Sequence, residues 1–161
     1  SINKAHENID RLIKSGKELV LVLQNDLSKV MWEKCGVIKD EEKLNDGLKL
    51  ISEIEDRINQ VDIRINDKNF RDIVNLFDLN SSVKTAKATI LSAKARKESR
   101  GAHQRSDFPH LKDSELCNYK IKEKEGSLSI SRKAITEVKS NLKNQINKTT
   151  EINDFKKRLL E

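Results

Sequence analysis

The sequence predicts a mainly α fold: a three- or four-helix bundle of the spectrin-repeat kind, with a small β-hairpin and a C-terminal helix appended. Three observations predict it. Apolar residues recur at gaps of three and four between Ile9 and Lys97, the spacing of a helix with one buried face. One Pro and five Gly in 161 residues leave long stretches with nothing to interrupt a helix. Between Tyr119 and Ile130 the spacing drops to two, the period of a half-buried strand.

The elements follow in order. Ile2 to Lys14 is expected as a short polar helix with Ile9, Leu12 and Ile13 on one face, ended by Ser15-Gly16. From Lys17 to Lys34, Leu19, Leu23, Leu27, Val30 and Met31 form a second stripe, closed by Cys35-Gly36. Within it the run Leu19-Val20-Leu21-Val22-Leu23 reads as a buried helical turn. Trp32, beside Met31, is expected to close the end of the bundle. Asp40 is placed to cap the third helix, with Lys43 where a capping box would have Glu or Gln. That helix carries Leu44, Leu48, Ile51, Ile54, Ile58, Val61 and Ile65 in one long stripe. The fourth, from Asn69 to Lys97, buries Ile73, Leu76, Phe77, Val83, Ala86, Ile90 and Ala93. Asn80-Ser81-Ser82 predicts a kink or break in it, because these side chains compete for backbone hydrogen bonds.

After Pro109 the pattern changes. Tyr119 and Ile121 alternate with lysines, Leu128 and Ile130 alternate with serines, and Glu123-Lys124-Glu125-Gly126 lies between. That is a hairpin with Gly in its turn. A lone two-stranded ribbon is marginal, so it is expected to pack on the bundle or on a further partner. Ile135, Val138, Leu142, Ile146, Thr149, Ile152, Phe155 and Leu159 close the chain in heptad-like order. No internal repeat is evident. The chain thus divides into a bundle over 1–109, a loop and hairpin over 110–131 and an amphipathic helix over 132–161.

Composition narrows the function. Hydrophobic residues are 35% and charged residues 36%, so the core is thin and the surface wet. The net charge of +6 is spread out: Ser131–Glu161 carries eight Lys/Arg against four Asp/Glu, and elsewhere the signs interleave. A polyanion site needs a concentrated footprint, so no nucleic-acid partner is expected. The aromatic residues are too scattered to form a stacking platform. No apolar run nears the ~20 residues of a membrane span, and no signal-peptide core opens the chain, so no direct membrane insertion is expected. Cys35 and Cys117 stand in no paired motif and read as reduced thiols of a cytoplasmic protein. Ser1 in place of Met leads us to expect a piece of a longer polypeptide.

The chain carries no G-x-G-x-x-G, Walker sequence or G-x-S-x-G, and His6, His103, His110 and the cysteines lack zinc-ligand spacing. No catalytic, cofactor-binding or metal residue is assigned, and the chain alone is expected to be non-catalytic. The densest chemistry is Arg96-Lys97-Glu98-Ser99-Arg100-Gly101-Ala102-His103-Gln104-Arg105-Ser106-Asp107-Phe108-Pro109, which sets three arginines, two carboxylates and a His around one Gly. Three uses stand open. His103 with Arg100 and Arg105 could bind a carboxylate or phosphate, since guanidiniums supply forked donors. Glu98 and Asp107 could instead pair with those arginines in a structural ion network. The same groups could hold a partner segment at an interdomain surface.

This run resembles the R-x-E-S-R-G-A-H-x-R-x-D-F-P signature in the C-terminal helical domain of succinate dehydrogenase and fumarate reductase flavoprotein subunits. L-aspartate oxidase carries a variant, more often with Gly or Leu before the His, so Gly101-Ala102-His103 points to the dehydrogenase and reductase side. The likeness extends over Gln24–Pro109. Gly36-Val37-Ile38-Lys39-Asp40-Glu41-Glu42-Lys43-Leu44 is similar to the family's turn into a new helix, where Arg often stands at the position of Lys39. It continues more loosely through the hairpin, and the last helix departs from the pattern.

The resemblance implies a parent that interconverts succinate and fumarate, with FAD in an N-terminal domain of the same polypeptide and none in this chain. It implies that the helical domain packs on that FAD domain and, in dehydrogenase complexes, borders an iron–sulfur subunit. The parent would be cytoplasmic, or held at the cytoplasmic face of a membrane through other subunits. Arg96, Glu98, Ser99, Arg100, Gly101, His103, Arg105 and Asp107 are then expected to serve domain docking. The competing reading is a free-standing helical interaction module that dimerises through its last helix.

Overall fold

Residues 16–63, 70–137, 140 and 142 are described by the computed structural model of the chain. Among them three helices carry the fold: α1 (Val20–Cys35), α2 (Glu41–Ile58) and α3 (Phe70–Ala95). A short strand β1 (Ile38–Lys39) joins α1 to α2, and β2 (Gln104–Arg105) follows α3. A 3-10 turn (Asp113–Glu115) then precedes the hairpin strands β3 (Cys117–Lys124) and β4 (Ser127–Ala134). The fold is mainly α with a small hairpin, as the apolar spacing predicts. The expected first helix, Ile65 and nearly all of the expected C-terminal helix lie outside the described residues.

Helix α1 begins at Val20, not Lys17, because the chain before it is already committed. Lys17 and Glu18 N–H both donate to the Gln60 carbonyl at 2.9 and 3.1 Å, and Asp62 N–H donates to the Glu18 carbonyl at 2.8 Å. Those backbone groups are satisfied by an extended neighbour and not by a further helical turn. Arg57 locks the pairing: Nε and Nη2 fork onto the Glu18 carboxylate at 2.8 and 2.9 Å, and Nη1 reaches Asp26 at 2.8 Å. The run Leu19–Leu23 is therefore not a buried turn. Val20 and Leu23, three apart, face the core, while Leu19, Leu21 and Val22 are exposed. Trp32 also departs from expectation: at 76% exposure it closes nothing.

Asp40 caps α2 as its position predicts, its Oδ1 accepting from Lys43 N–H at 2.8 Å. Glu41 and Glu42 lie in the first turn, where the helix dipole favours negative charge. Leu44, Ile51 and Ile54 are buried, with Leu48 and Ile58 packed at the edge. The helix stops at Ile58, short of its apolar stripe. Val61 and Ile63 are still buried, but from the extended strand paired with Glu18. Gly47 sits where all three helices meet. A Cβ there would come within 2.9 Å of Ile90 Cδ1 and 3.0 Å of Lys34 Cβ, so an alanine would require both side chains to shift.

Helix α3 runs through Asn80-Ser81-Ser82 without a break. Asn80 Nδ2 donates to the Leu76 carbonyl at 2.9 Å and Ser81 Oγ to that of Phe77 at 3.0 Å; Thr85 and Thr89 repeat the bond one turn on. The polar side chains bond back along the helix and do not compete with it. Leu76, Leu79, Val83, Ala86 and Ile90 form its buried face. Phe77, one position round from Leu76, is half exposed and Leu79 takes its place in the core.

The hairpin pairs Cys117 with Ala134 through Lys124 with Ser127, and β4 runs past the expected end at 131. Its loop residues Glu125 and Gly126 have φ of 52° and 78°, the pattern of a type I′ turn. It packs on α3: Lys84 Nζ pairs with Glu123 at 2.8 Å, and Arg96 lies over the Tyr119 ring at 4.9 Å.

Two substitutions separate core from surface on α3. Ile90→Ala should cost about 2–5 kcal/mol through the cavity it leaves. Phe77→Ala, although it removes a larger side chain, should cost about 1 kcal/mol or less. Urea unfolding followed by circular dichroism measures both.

Candidate functional site

The densest polar chemistry is where the sequence places it, in the loop after α3. The structure sorts six of the eight expected residues into two ion clusters and the one hydroxyl between them, and leaves Gly101 and His103 outside. Arg105 is the centre of the first. Its guanidinium is fully buried, and each of its five N–H donors has a partner. Nε and Nη2 fork onto Asp107 at 2.7 and 2.6 Å, and Nη2 also reaches Glu41 at 3.1 Å. Nη1 meets the Ala93 and Lys94 carbonyls at 2.9 and 3.3 Å. Those two carbonyls are at the C-terminal end of α3, where a cation suits the helix dipole. Asp107 Oδ2 in turn accepts from Glu41 N–H at 3.0 Å, at the N-terminal end of α2. One buried cation and one carboxylate thus join two helix ends.

Glu98 is the centre of the second cluster, with its carboxylate buried. Oε1 accepts from Arg96 at 2.6 Å and from Arg100 Nε at 2.9 Å; Oε2 accepts from Arg100 Nη2 at 3.0 Å and from Lys112 N–H at 2.9 Å. Arg100, the Lys112 N–H and Arg96 together hold its carboxyl at about 2, well below the ordinary 4.5, against the opposing effect of burial. Arg96 also donates to the Glu115 and Cys117 carbonyls at 2.8 and 2.6 Å, which ties the hairpin to the loop.

Ser99 stands between the clusters. Its hydroxyl donates to the Phe108 carbonyl at 2.8 Å and accepts from Arg105 N–H at 2.9 Å. Gly101 and Ala102 form the tip, between Arg100 and His103, whose backbones bond each other at 2.8 and 3.0 Å. Gly101 has φ of 57°, as the first loop position of a type II′ turn requires, and a Cβ there would meet nothing within 4 Å. The loop is stitched to β1 by a short parallel pairing, Ile38 with Gln104 and Lys39 with Arg105, and Ser106 N–H donates to the Lys39 carbonyl at 2.8 Å.

His103 bonds to neither carboxylate. Its Nε2 lies 3.2 Å from the Arg96 carbonyl, an acceptor only, so Nε2 carries a proton and Nδ1 is the free nitrogen. Burial first, then the charges of Lys39, Arg96 and Arg105, lower its pKa from the ordinary value. His103, Arg100 and Arg105 therefore do not form the guanidinium clamp for an outside anion that their spacing allows. Both forks are taken by the chain's own carboxylates, and the ion-network reading describes the geometry. Sequence reasoning did not assign Glu41, Glu115, Tyr119 or the buried Lys39 to the site. Glu41 had a signal, an acid at a capped helix start. Glu115 and Tyr119, which hydrogen-bond each other under the loop, had none.

Three outcomes test this arrangement. Arg105→Met should cost about 1–3 kcal/mol, because it leaves the Ala93 and Lys94 carbonyls without their donor and takes the guanidinium from the partly exposed Asp107. Gly101→Ala should cost about 1–2 kcal/mol from backbone strain alone, since the methyl has room. Glu98, with its carboxyl lowered in the folded state, stabilises fully above its ordinary value of 4.5, and that contribution is lost as pH falls towards about 2. In acid titrations of stability, Glu98→Gln should be weaker at neutral pH and flatter across that window.

Residues 24–152 match the family described as fumarate reductase flavoprotein C-term. The chain is 38% identical over 125 residues to an FAD-dependent oxidoreductase of Methanocaldococcus jannaschii, covering 74% of this chain and 22% of that protein. It is 34% identical over 127 residues to the succinate dehydrogenase flavoprotein subunit of Rickettsia bellii, covering 76% and 21%. Among solved structures, E. coli quinol fumarate reductase superposes with a TM-score of 0.77 at 22% identity, over 86% of this chain and 25% of that one. The Mycobacterium smegmatis Sdh1 complex gives 0.69 at 19% identity, over 84% and 25%. The chain spans only about a fifth of the length of the curated relatives it matches. With the signature, the hairpin and the matched span in agreement, this chain belongs to the fumarate reductase flavoprotein C-terminal family.

Proposed function

We propose that the chain is the C-terminal helical domain of an FAD-dependent flavoprotein that interconverts succinate and fumarate, and that it is itself a non-catalytic docking domain. The observation that carries this is the direction of the signature's polar groups. Arg96, Glu98, Ser99, Arg100, Arg105 and Asp107 spend their donors and acceptors on one another and on helix ends. A catalytic constellation must leave some of these groups free to reach a reacting atom.

Flavin chemistry is assigned to the polypeptide outside this chain. Among the described residues no strand leads through a glycine turn into a helix, the device that holds a dinucleotide. When bound there, FAD supplies the hydride chemistry. Two groups of exposed apolar side chains fit the docking reading: Trp32, Val37 and Ile38 around the end of α1 and β1, and Leu111 and Leu116 before the hairpin. Exposed large apolar side chains in such groups fit contact with another body. In this reading the signature fixes β1 and the hairpin, and these carry the apolar contacts to the FAD domain and to an iron–sulfur subunit.

The first test is the size and flavin content of the native polypeptide, probed with an antibody against this domain. A flavin-bearing species several times larger is expected, and a flavin-free species of this chain's own size would overturn the reading in favour of a free-standing module. In that larger protein, Trp32→Glu should lower flavin retention or subunit assembly. The same substitution should change the stability of this chain by about 0.5 kcal/mol or less.

A further inference from the structure

Beside the two ion clusters lies an open groove of roughly 590 Å³, which of their ions only Arg96 lines. It runs between α3 and the signature loop, with Lys39, Ser92, Arg96, His103 and Tyr119 among its walls, and no carboxylate lines it. Lys39 is the unusual member. It is only 8% exposed, yet it makes no salt bridge among the described residues; its ammonium donates to the Val37 carbonyl at 3.2 Å and keeps two further N–H groups. A Lys so largely buried with no counter-charge among the described residues is rare. Every other strongly buried ion of the loop has its partner: Arg105 has Asp107 and Glu41, and Glu98 has Arg96 and Arg100.

One more donor flanks Lys39. The Ser92 hydroxyl takes part in no hydrogen bond among the described residues, whereas His103 Nδ1, unprotonated because Nε2 carries the proton, is an acceptor and offers an anion nothing. Tyr119 closes the far wall, its hydroxyl engaged with Glu115. On the α3 side the wall is made of Thr85, Ala88, Thr89 and Ala93, whose small side chains leave space above the helix.

We propose that this groove is a carboxylate-binding site, with the Lys39 ammonium as its charge partner and the Ser92 hydroxyl as a flanking donor. Charge balance selects the anion. Glu98, together with Asp113 through space, offsets Arg96 and Arg100, and burial, then the cations around it, favour the neutral form of His103, so one positive charge remains in the groove. A single carboxylate group matches that charge, and any second anionic group of the same ligand must lie outside the groove. The carboxylate is carried either by a small acid or by an Asp or Glu side chain laid along α3. The site does not depend on the docking reading, because it is built from this chain's own residues.

The test is an NMR titration of the 161-residue chain with sodium acetate and with succinate, against sodium chloride at equal ionic strength, reading His103 and the backbone amides of Lys39 and Ser92. Saturable shifts with the carboxylates and not with chloride are expected. Lys39→Met should weaken binding about tenfold or more, since it removes a charge-assisted hydrogen bond. Lys39→Arg should retain binding, and Ser92→Ala, which breaks no bond in the fold, should weaken it about threefold or more. Peptides that differ only by Glu against Gln identify the source: tighter binding of the Glu peptide than of succinate means a protein side chain, and the reverse means a free acid. Equal responses to acetate and chloride would overturn the proposal. So would a folded Lys39→Met chain that binds unchanged, or, if that variant does not fold, a Ser92→Ala chain that does.

Discussion

The buried guanidinium of Arg105 is the interaction on which the rest of the structure depends. Helix ends leave carbonyls and N–H groups without intrahelical partners, and a small bundle has little surface over which to hide them. Here the end of α3 and the start of α2 are brought together, and one side chain with five fixed donors serves both. Asp107 completes the junction by neutralising the guanidinium and accepting from Glu41 N–H. Lysine could not replace arginine, since a point charge with three rotating donors does not span a carboxylate fork and two carbonyls at once. The apolar core sets how the helices lie against one another, and Arg105 sets where they stop.

From that junction the division of labour in the loop follows. Groups close to Arg105 and Glu98 are consumed by the fold, and groups beyond them face outwards. Glu98 ties Arg96, and Arg96 ties the hairpin, so the ribbon gains through this chain of contacts the support that an isolated pair of strands lacks. The parallel pairing of β1 with β2 holds Lys39 against the loop. It holds the backbone, however, and gives the ammonium no carboxylate. A loop so fully satisfied can still present one unsatisfied charge on its far side.

Much of this was legible in the sequence, for local reasons. The stripe of α2 and its Asp40 cap needed only helical spacing and one side chain, and the hairpin needed only alternation and a turn. What was not legible depended on contacts between distant residues. The late start of α1 and the exposure of Leu19 follow from the pairing of Glu18 with Val61. The burial of Val61 and Ile63 matched the stripe of α2 although their backbone is extended, because one apolar stripe can be met by two geometries. The unbroken course through Asn80 and Ser81 turned on whether their side chains bond back or outwards, which composition does not decide. At the site, the arginines and acids were recognisable as a network or a clamp. Only the positions of Glu41 and the Lys112 N–H, far along the chain, decided between them.

The Arg105–Glu41 contact joins residues 64 apart, and the Ser106–Lys39 bond joins residues 67 apart. Such high-contact-order closures form slowly, because chain entropy must be spent before they form. During synthesis, α1 and α2 emerge well before the residues that fasten their connector. Until then Trp32, Val37 and Ile38 flank an unfastened strand with open backbone groups, a combination that invites pairing with another chain. The loop after α3 therefore also governs timing: a nascent chain stalled before Arg105 carries most of its core yet keeps an open edge, and recognition by a chaperone would be most useful there.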